Sequence, residues 1–356
     1  MKITIFGYFG KGNIGDEVML SSALNFYSQV DEIDVIDVFR TDDLESREPK
    51  VKYINICGCV GKLKILKSIF TSSKLFWIGG TCLYDSEGLS GLAFIKKIMS
   101  LCSFLKVEVH FISVGVGNII TSEGKGLVSY ILDKCTTISL RETNSYNYVI
   151  DNCSEFEKVS RAGDLFFLAP NLGMTSKNSN ITKNYITFTG HYDYSADQHV
   201  VSKCIDLVNA VISKYNVDVY FIPFHQGKST DNKFHEKVIE GVVFKDKVKV
   251  YHEVKVDDVA ALICDAKFHV GFRLHSVVLS ELTCTPYVAL SYSPKVERFV
   301  SKFHPESSNQ YVIQLCAVDY LADFDSIIEN FSSNAELIKL EKDLAFASLK
   351  SVIDEK

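Results

Sequence analysis

Residues 1–17 read MKITIFGYFGKGNIGDE. A β-branched and aromatic run ends at Tyr8, glycines stand at 7, 10, 12 and 15, and the acidic pair Asp16 and Glu17 opens an amphipathic segment. The run has the length and composition of a strand. Glycines reach positive φ and let a backbone approach a ligand closely. The helix that follows offers unsatisfied N–H groups to anions or hydroxyls. The spacing is not the dinucleotide fingerprint, and no P-loop lysine is present. As bare structure the stretch is a tight strand-to-helix turn capped by Asp16. As a site it makes Asn13 and Asp16 candidates for ligand contact. An apolar run this short, leading into glycines, is a first strand rather than a signal peptide.

The same alternation continues along the chain. Strand-like runs lie at 34–39, 75–80, 109–115 and 136–141, with helix-like stretches at 16–29, 89–104 and 123–134. Alternation of this kind predicts parallel sheet with helices on both faces. It breaks at FFLAPNLGMTSKNSNITKN, which has the Pro, Gly and polar content of a linker. It restarts with strands expected at 185–191, 217–225, 247–253, 266–273 and 286–292. The expected organisation is an α/β chain of two Rossmann-like, doubly wound domains. The first covers 1–168, a linker 169–184, the second 185–315, and a helical segment 316–356.

Two domains also suit 356 residues. A net charge of −6 argues against nucleic acid as a partner, and an anionic substrate would need a local cluster of cations. Ten cysteines are scattered with no C-x-x-C pair and no zinc spacing. They read as reduced thiols in a cytoplasmic protein, with no metal site and no cofactor expected. No stretch reaches the ~18 apolar residues of a membrane span.

Further motifs follow strand ends. Trp77-Ile78-Gly79-Gly80-Thr81, with Asp85 beyond it, and Ser113-Val114-Gly115-Val116-Gly117 each suit a turn as well as a site. Arg141, in Ser139-Leu140-Arg141-Glu142, closes a strand where it would face a ligand crevice, or makes a surface ion pair. His225 in Phe221-Ile222-Pro223-Phe224-His225 is as well explained by structure as by catalysis. The sharpest motif is Gly271-Phe272-Arg273-Leu274-His275-Ser276. An arginine at a buried strand end is costly unless it holds an anion or a partner. Its fork suits phosphate or carboxylate, and a helix N-terminus adds to its charge. His275 can donate a proton near neutrality. Lys295 follows the next strand, at the same rim.

Taken in order, these motifs resemble the polysaccharide pyruvyl transferase family. The carriers are GYFGKGNIGDE, the glycine turn 79–80 with Asp85, SVGVG, ISLRE with Ser145, AGDLFFL around Asp164, IPFH, GFRLHS and ALSYSPKV, from about residue 5 to 300. The resemblance implies a GT-B-like pair of domains facing across a cleft. Phosphoenolpyruvate (PEP) would be the co-substrate, and a sugar or lipid-linked saccharide the acceptor. Arg273, Leu274 and His275 would grip PEP, and Arg141 would be a first-domain contact to it. Thr81, Val116 and Ser293 depart from the family's usual residues there.

The expected reaction is transfer of pyruvyl from PEP to a surface polysaccharide or its precursor. Arg273, His275 as general acid and Asp16 are the catalytic candidates. The substrate-binding candidates are Arg141, Leu274, Lys295, His225, Asn13, Gly79 and Gly80. Peripheral contact with the inner membrane face and self-association are left open. Two other readings remain at this stage: a GT-B glycosyltransferase using a nucleotide sugar, and a silent relative acting as a scaffold.

Overall fold

A computed structural model describes residues 1–37, 50–55, 58–169, 184–226, 230–291, 294–314 and 324–353. The chain forms two compact units. The first comprises Met1–Lys11, Asp16–Ala169 and Lys339–Lys356, and the second Gly12–Gly15 and Pro170–Ile338. Most of the segment read as a linker, 170–183, lies outside the described residues, as do 315–323 and residues 292 and 293.

The first unit holds β1 (Lys2–Phe6), β2 (Glu32–Asp37), β3 (Val51–Asn55), β4 (Lys74–Ile78), β5 (Thr81–Leu83), β6 (Glu108–Val116), β7 (Thr137–Leu140) and β8 (Val159–Arg161). They form one sheet in the order β3-β2-β1-β4-β6-β7-β8, with β5 paired to β6. All pairings are parallel. The second unit holds β9 (Tyr185–Thr189), β10 (Asp218–Phe221), β11 (Val248–Val250), β12 (His269–Gly271), β13 (Tyr287–Ser291) and β14 (Val312–Gln314). Their order is β11-β10-β9-β12-β13-β14, again parallel throughout. Each sheet therefore reverses direction once, between β1 and β4 in the first and between β9 and β12 in the second. In doubly wound sheets ligands bind beyond the carboxyl ends of the strands at that reversal.

Burial on both faces explains the continuous apolar runs. Every residue of β4, KLFWI, and of β13, YVALS, is buried. Caps fix the helix starts. Thr121 accepts from the Gly124 N–H at 2.9 Å, and Asp197 from His199 and Val200 at 3.0 and 3.2 Å. Each such bond stabilises its helix by about 1 kcal/mol.

The first helix, Ile14–Phe26, starts earlier than the sequence reading allows, so Asp16 is not its cap. Asn13 Oδ1 instead accepts from the Gly15 N–H at 3.1 Å, and Asp16 lies within the first turn. Expected strand ends also overshoot. ITIFGY stops at Phe6 and VDVYFIPFH at Phe221, beyond which the Phe224 and His225 N–H groups bond to Asp231 and the Phe224 carbonyl accepts from Ile14. β3, β8, β14 and a helix at Gly58–Thr71 lie where the pattern gave no signal. The helix Ala335–Ser351 packs onto the first unit from Lys339 onward. There the Tyr27 hydroxyl donates to the Leu349 carbonyl at 3.1 Å and Lys74 Nζ to that of Val352 at 2.6 Å. Gly163 meets this helix so closely that a Cβ would fall 2.0 Å from the Glu341 carbonyl oxygen.

Candidate functional site

In the second unit, β12 ends at Gly271, whose missing side chain lets the helix Leu274–Leu282 pack closely. A Cβ there would lie 2.7 Å from Val277 Cγ2. Arg273 is the residue before that helix. Its guanidinium forks onto Asp231, with Nε 3.2 Å from Oδ2 and Nη2 2.5 Å from Oδ1. Nη1 donates to His191 Nε2 at 3.0 Å. Asp231 is fully buried and also accepts from the backbone N–H groups of Tyr192, Phe224 and His225 at 3.1, 3.1 and 2.9 Å. His191 follows β9 and Arg273 follows β12, so this cluster occupies the reversal point of the second sheet.

Burial, and then the Arg273 charge, push the His191 imidazole down to about 3. It is neutral at pH 7 and acts as an acceptor. Arginine cannot accept, so Nε2 carries the lone pair and the proton sits on Nδ1. Nδ1 lies 3.7 Å from the Asp193 carboxylate and 3.4 Å from the Asp193 backbone nitrogen.

The glycine loop completes the cluster. Ile14 N–H donates to the Phe224 carbonyl at 2.9 Å, and Gln226 N–H to that of Gly12 at 2.8 Å. Asn13 and His225 thus form an antiparallel bridge. Gly15 lies over the His275 ring, where a Cβ would stand 1.9 Å from Nδ1. Here glycine is required by close approach rather than by φ. The structure therefore brings together Asn13, His225, Arg273 and His275. Leu274 packs against the core of the second unit. Lys295 is half-buried on the helix Pro294–Phe303, which follows β13, the neighbour of β12.

Three buried histidines of this unit make it acid-sensitive. Burial is the first cause in each case, and it holds His191, His235 and His269 at about 3, about 4 and about 3, below the ordinary 6.5. Unfolded histidines gain protons that these cannot accept, so stability is present above about pH 6.5 and lost as pH falls toward about 4. Each contributes at most about 2 kcal/mol of that loss by about pH 5. Amide exchange in the helix Gln198–Tyr215 should accelerate, beyond its intrinsic pH dependence, between pH 7 and pH 5. Unchanged protection would mean that these imidazoles protonate without strain.

The other candidates lie in the first unit. Gly79 and Gly80 follow β4 with φ of +60° and +69°, which side chains rarely adopt. A Cβ on Gly79 would be 2.7 Å from Met19 Sδ, and one on Gly80 3.9 Å from Asp16 Oδ1. Asp16 and the glycine turn therefore share the reversal point of the first sheet. Arg141 is not on the surface. Its side chain is nearly buried, and Nη1 pairs with Asp164 Oδ2 at 2.7 Å. Burial works against its charge, but Asp164, Glu142 and Asp16 outweigh it and hold the guanidinium above its ordinary value.

Several motif residues here are framework. Asp85 accepts from Ile120 N–H, Thr121 N–H and the Thr121 hydroxyl at 2.6, 2.8 and 2.6 Å. The Ser145 hydroxyl accepts from Val116 N–H at 2.9 Å. Thr81 fills the space beside Gly115, whose Cβ would be 3.1 Å from its hydroxyl.

Sequence reading missed Asp231 and His191. Asp231 sits in a polar stretch that reads as an ordinary loop. His191 ends YITFTGH, and the rule that singled out His225 and Arg273, a polar residue just past a strand's carboxyl end, would have found it.

Among the described residues, no group of three or more His, Cys, Asp or Glu is placed to hold a metal ion, and no helix is long and apolar enough to cross a membrane. Two doubly wound domains in tandem, each with polar groups at its reversal point, are the architecture of the GT-B-like enzymes. The chain is similar in structure to a UDP-GlcNAc 2-epimerase from Methanocaldococcus jannaschii, with a TM-score of 0.59 at 14% identity over 97% of this chain and 93% of that one. A UDP-N-acetylglucosamine 2-epimerase from Rickettsia bellii gives 0.60 at 11% identity over 99% and 95%, and a glycosyltransferase from Rickettsia africae 0.56 at 12% over 98% and 93%. At these identities the likeness concerns the fold. No curated protein matches in sequence. The chain belongs to the polysaccharide pyruvyl transferase family, whose profile matches residues 13–294.

Proposed function

We propose that the protein transfers the pyruvyl group of PEP to a sugar of a surface polysaccharide or its lipid-linked precursor, forming a ketal and releasing phosphate. The observation that carries this reading is the Arg273 guanidinium, held in place by Asp231 and His191 at the second sheet's reversal point, with His275 two residues on. PEP is small and strongly anionic. A guanidinium fixed in plane recognises carboxylate or phosphate bidentately. The chemistry needs C3 of PEP protonated, so that C2 becomes electrophilic. An acceptor hydroxyl then adds to C2 and loses its proton. Phosphate leaves the tetrahedral intermediate, and a second hydroxyl of the same sugar closes the ring with loss of its own proton. His275 is assigned the proton to C3, with Asn13, His225 and Lys295 lining the donor side. Asp16, with Gly79 and Gly80, is assigned to the acceptor hydroxyls, and Arg141 is retained as a donor contact through the family resemblance. No step in this scheme calls for a metal.

PEP should stabilise the native protein, by about 2.7 kcal/mol at a hundredfold excess over Kd. Arg273→Lys should weaken that stabilisation, because a point charge replaces a fork, and Arg273→Ala should abolish it. Thermal shift with PEP and, separately, UDP-GlcNAc decides the reading. Stabilisation by UDP-GlcNAc with none by PEP would favour a nucleotide-sugar enzyme. Wild-type PEP affinity in Arg273→Ala would remove the grip from this residue.

A further inference from the structure

Two helices of the first unit pack on the same face of its sheet, sharing one apolar core through Ile65 and Ile69 of Gly58–Thr71 and Leu92, Ile95 and Met99 of Ser90–Leu105. Their outer faces are unusual. Along the first helix Val60, Leu63, Leu66 and Phe70 are 64%, 65%, 47% and 71% exposed, a stripe at helical spacing. The second exposes Phe94 and, most of all, Phe104 at 84%. Six of the thirteen large apolar side chains exposed among the described residues lie on these two helices. Scattered exposed apolar groups are ordinary, but a concentrated set marks an interaction surface.

The charges name the partner. Lys62, Lys64 and Lys67 on the first helix and Lys96 and Lys97 on the second are exposed, and neither helix carries an acid. The chain as a whole has 44 acidic residues against 38 Lys and Arg. We propose that this face docks on an anionic lipid bilayer. The apolar stripe enters the boundary between headgroups and acyl chains, and the lysines reach lipid phosphates, their stems lying along the apolar surface. A second copy of the chain is the poorer occupant, because a two-fold contact would set the lysines of one copy against those of the other. This inference deepens the transferase reading, since a lipid-linked acceptor is presented at such a surface, and it is tested independently of the donor.

The full chain is to be sedimented with vesicles of equal parts phosphatidylcholine and phosphatidylglycerol, and with phosphatidylcholine alone. Binding is expected to the anionic vesicles, and to fall as salt rises from about 0.05 to about 0.5 M. Leu63→Glu with Phe70→Glu, and separately Lys62→Glu with Lys64→Glu, should each lower the partition coefficient about tenfold or more. These positions are exposed, so circular dichroism and the thermal shift with PEP should match wild type in both variants. Equal binding to neutral vesicles, no binding at all, or variants that bind like wild type would overturn the proposal. So would a concentration-dependent dimer that Leu63→Glu dissolves. If PEP gives no shift in any form while vesicle binding behaves as expected, the donor assignment falls and the lipid surface stands.

Discussion

Asp231→Ala is expected to lower the unfolding free energy by about 3–5 kcal/mol, and to abolish stabilisation by PEP in the same variant. Three donors on the Phe224, His225 and Tyr192 backbone lose their acceptor, and the Arg273 guanidinium keeps its charge without its counter-charge. Removing one partner of a buried pair costs far more than the pair contributes, because the remaining group stays desolvated. Asp231→Asn should be milder: it retains the shape and one acceptor oxygen, but loses the fork. Urea midpoints and PEP titrations of the two variants separate the effects. A stable Asp231→Ala protein with wild-type PEP affinity would mean that Arg273 holds its position through His191 and the backbone alone.

His275→Gln should reduce turnover by about 10²–10⁴, the usual contribution of a positioned acid. Its fold and most of its PEP affinity should remain. Glutamine can still donate a hydrogen bond where the ring stood, but it delivers no proton. Initial rates and PEP binding, measured together, distinguish three outcomes. Lost turnover with retained binding supports the acid role. Near-normal turnover would move that role to His225, which shares the cluster through its bridge to Asn13. Lost binding would make His275 a donor ligand and leave the proton to another group.

The fold was legible wherever strands are buried on both faces. β4 from Leu75 onward and β13 up to Leu290 are uninterrupted apolar runs, and such runs admit few other readings. β3 and β14 were not legible. They lie at sheet edges, and β3, VKYIN, is short and buries only Val51 and Ile54, with no period-two pattern to stand out. The helix Gly58–Thr71 was missed because it is apolar on its outer face as well, which erases the helical period. For the site, the glycine loop, IPFH and GFRLHS each marked a strand's carboxyl end. Their convergence is a tertiary fact, set by backbone bonds from Gly12 and Ile14 to residues about two hundred positions away. Asp16 looked like a cap because the cap, Asn13, lies three residues earlier among glycines. Arg141 was expected at a crevice or in a surface pair. Its buried bond to Asp164 depends on β8, which sequence did not reveal.

The return of the helix Ala335–Ser351 to the first unit imposes an order on synthesis. On a ribosome, β1 to β8 emerge long before residues 339–353, yet Tyr27, Lys74, Gly163 and Asp164 all find partners or close contacts there. Until that segment arrives, the Tyr27 hydroxyl lacks its Leu349 acceptor and the Lys74 ammonium its Val352 acceptor. The second unit has its whole sheet translated by Gln314, before the first can close. The part of the chain made first is thus the last to be finished. A nascent first unit must be shielded from aggregation for the time it takes to translate all of the second.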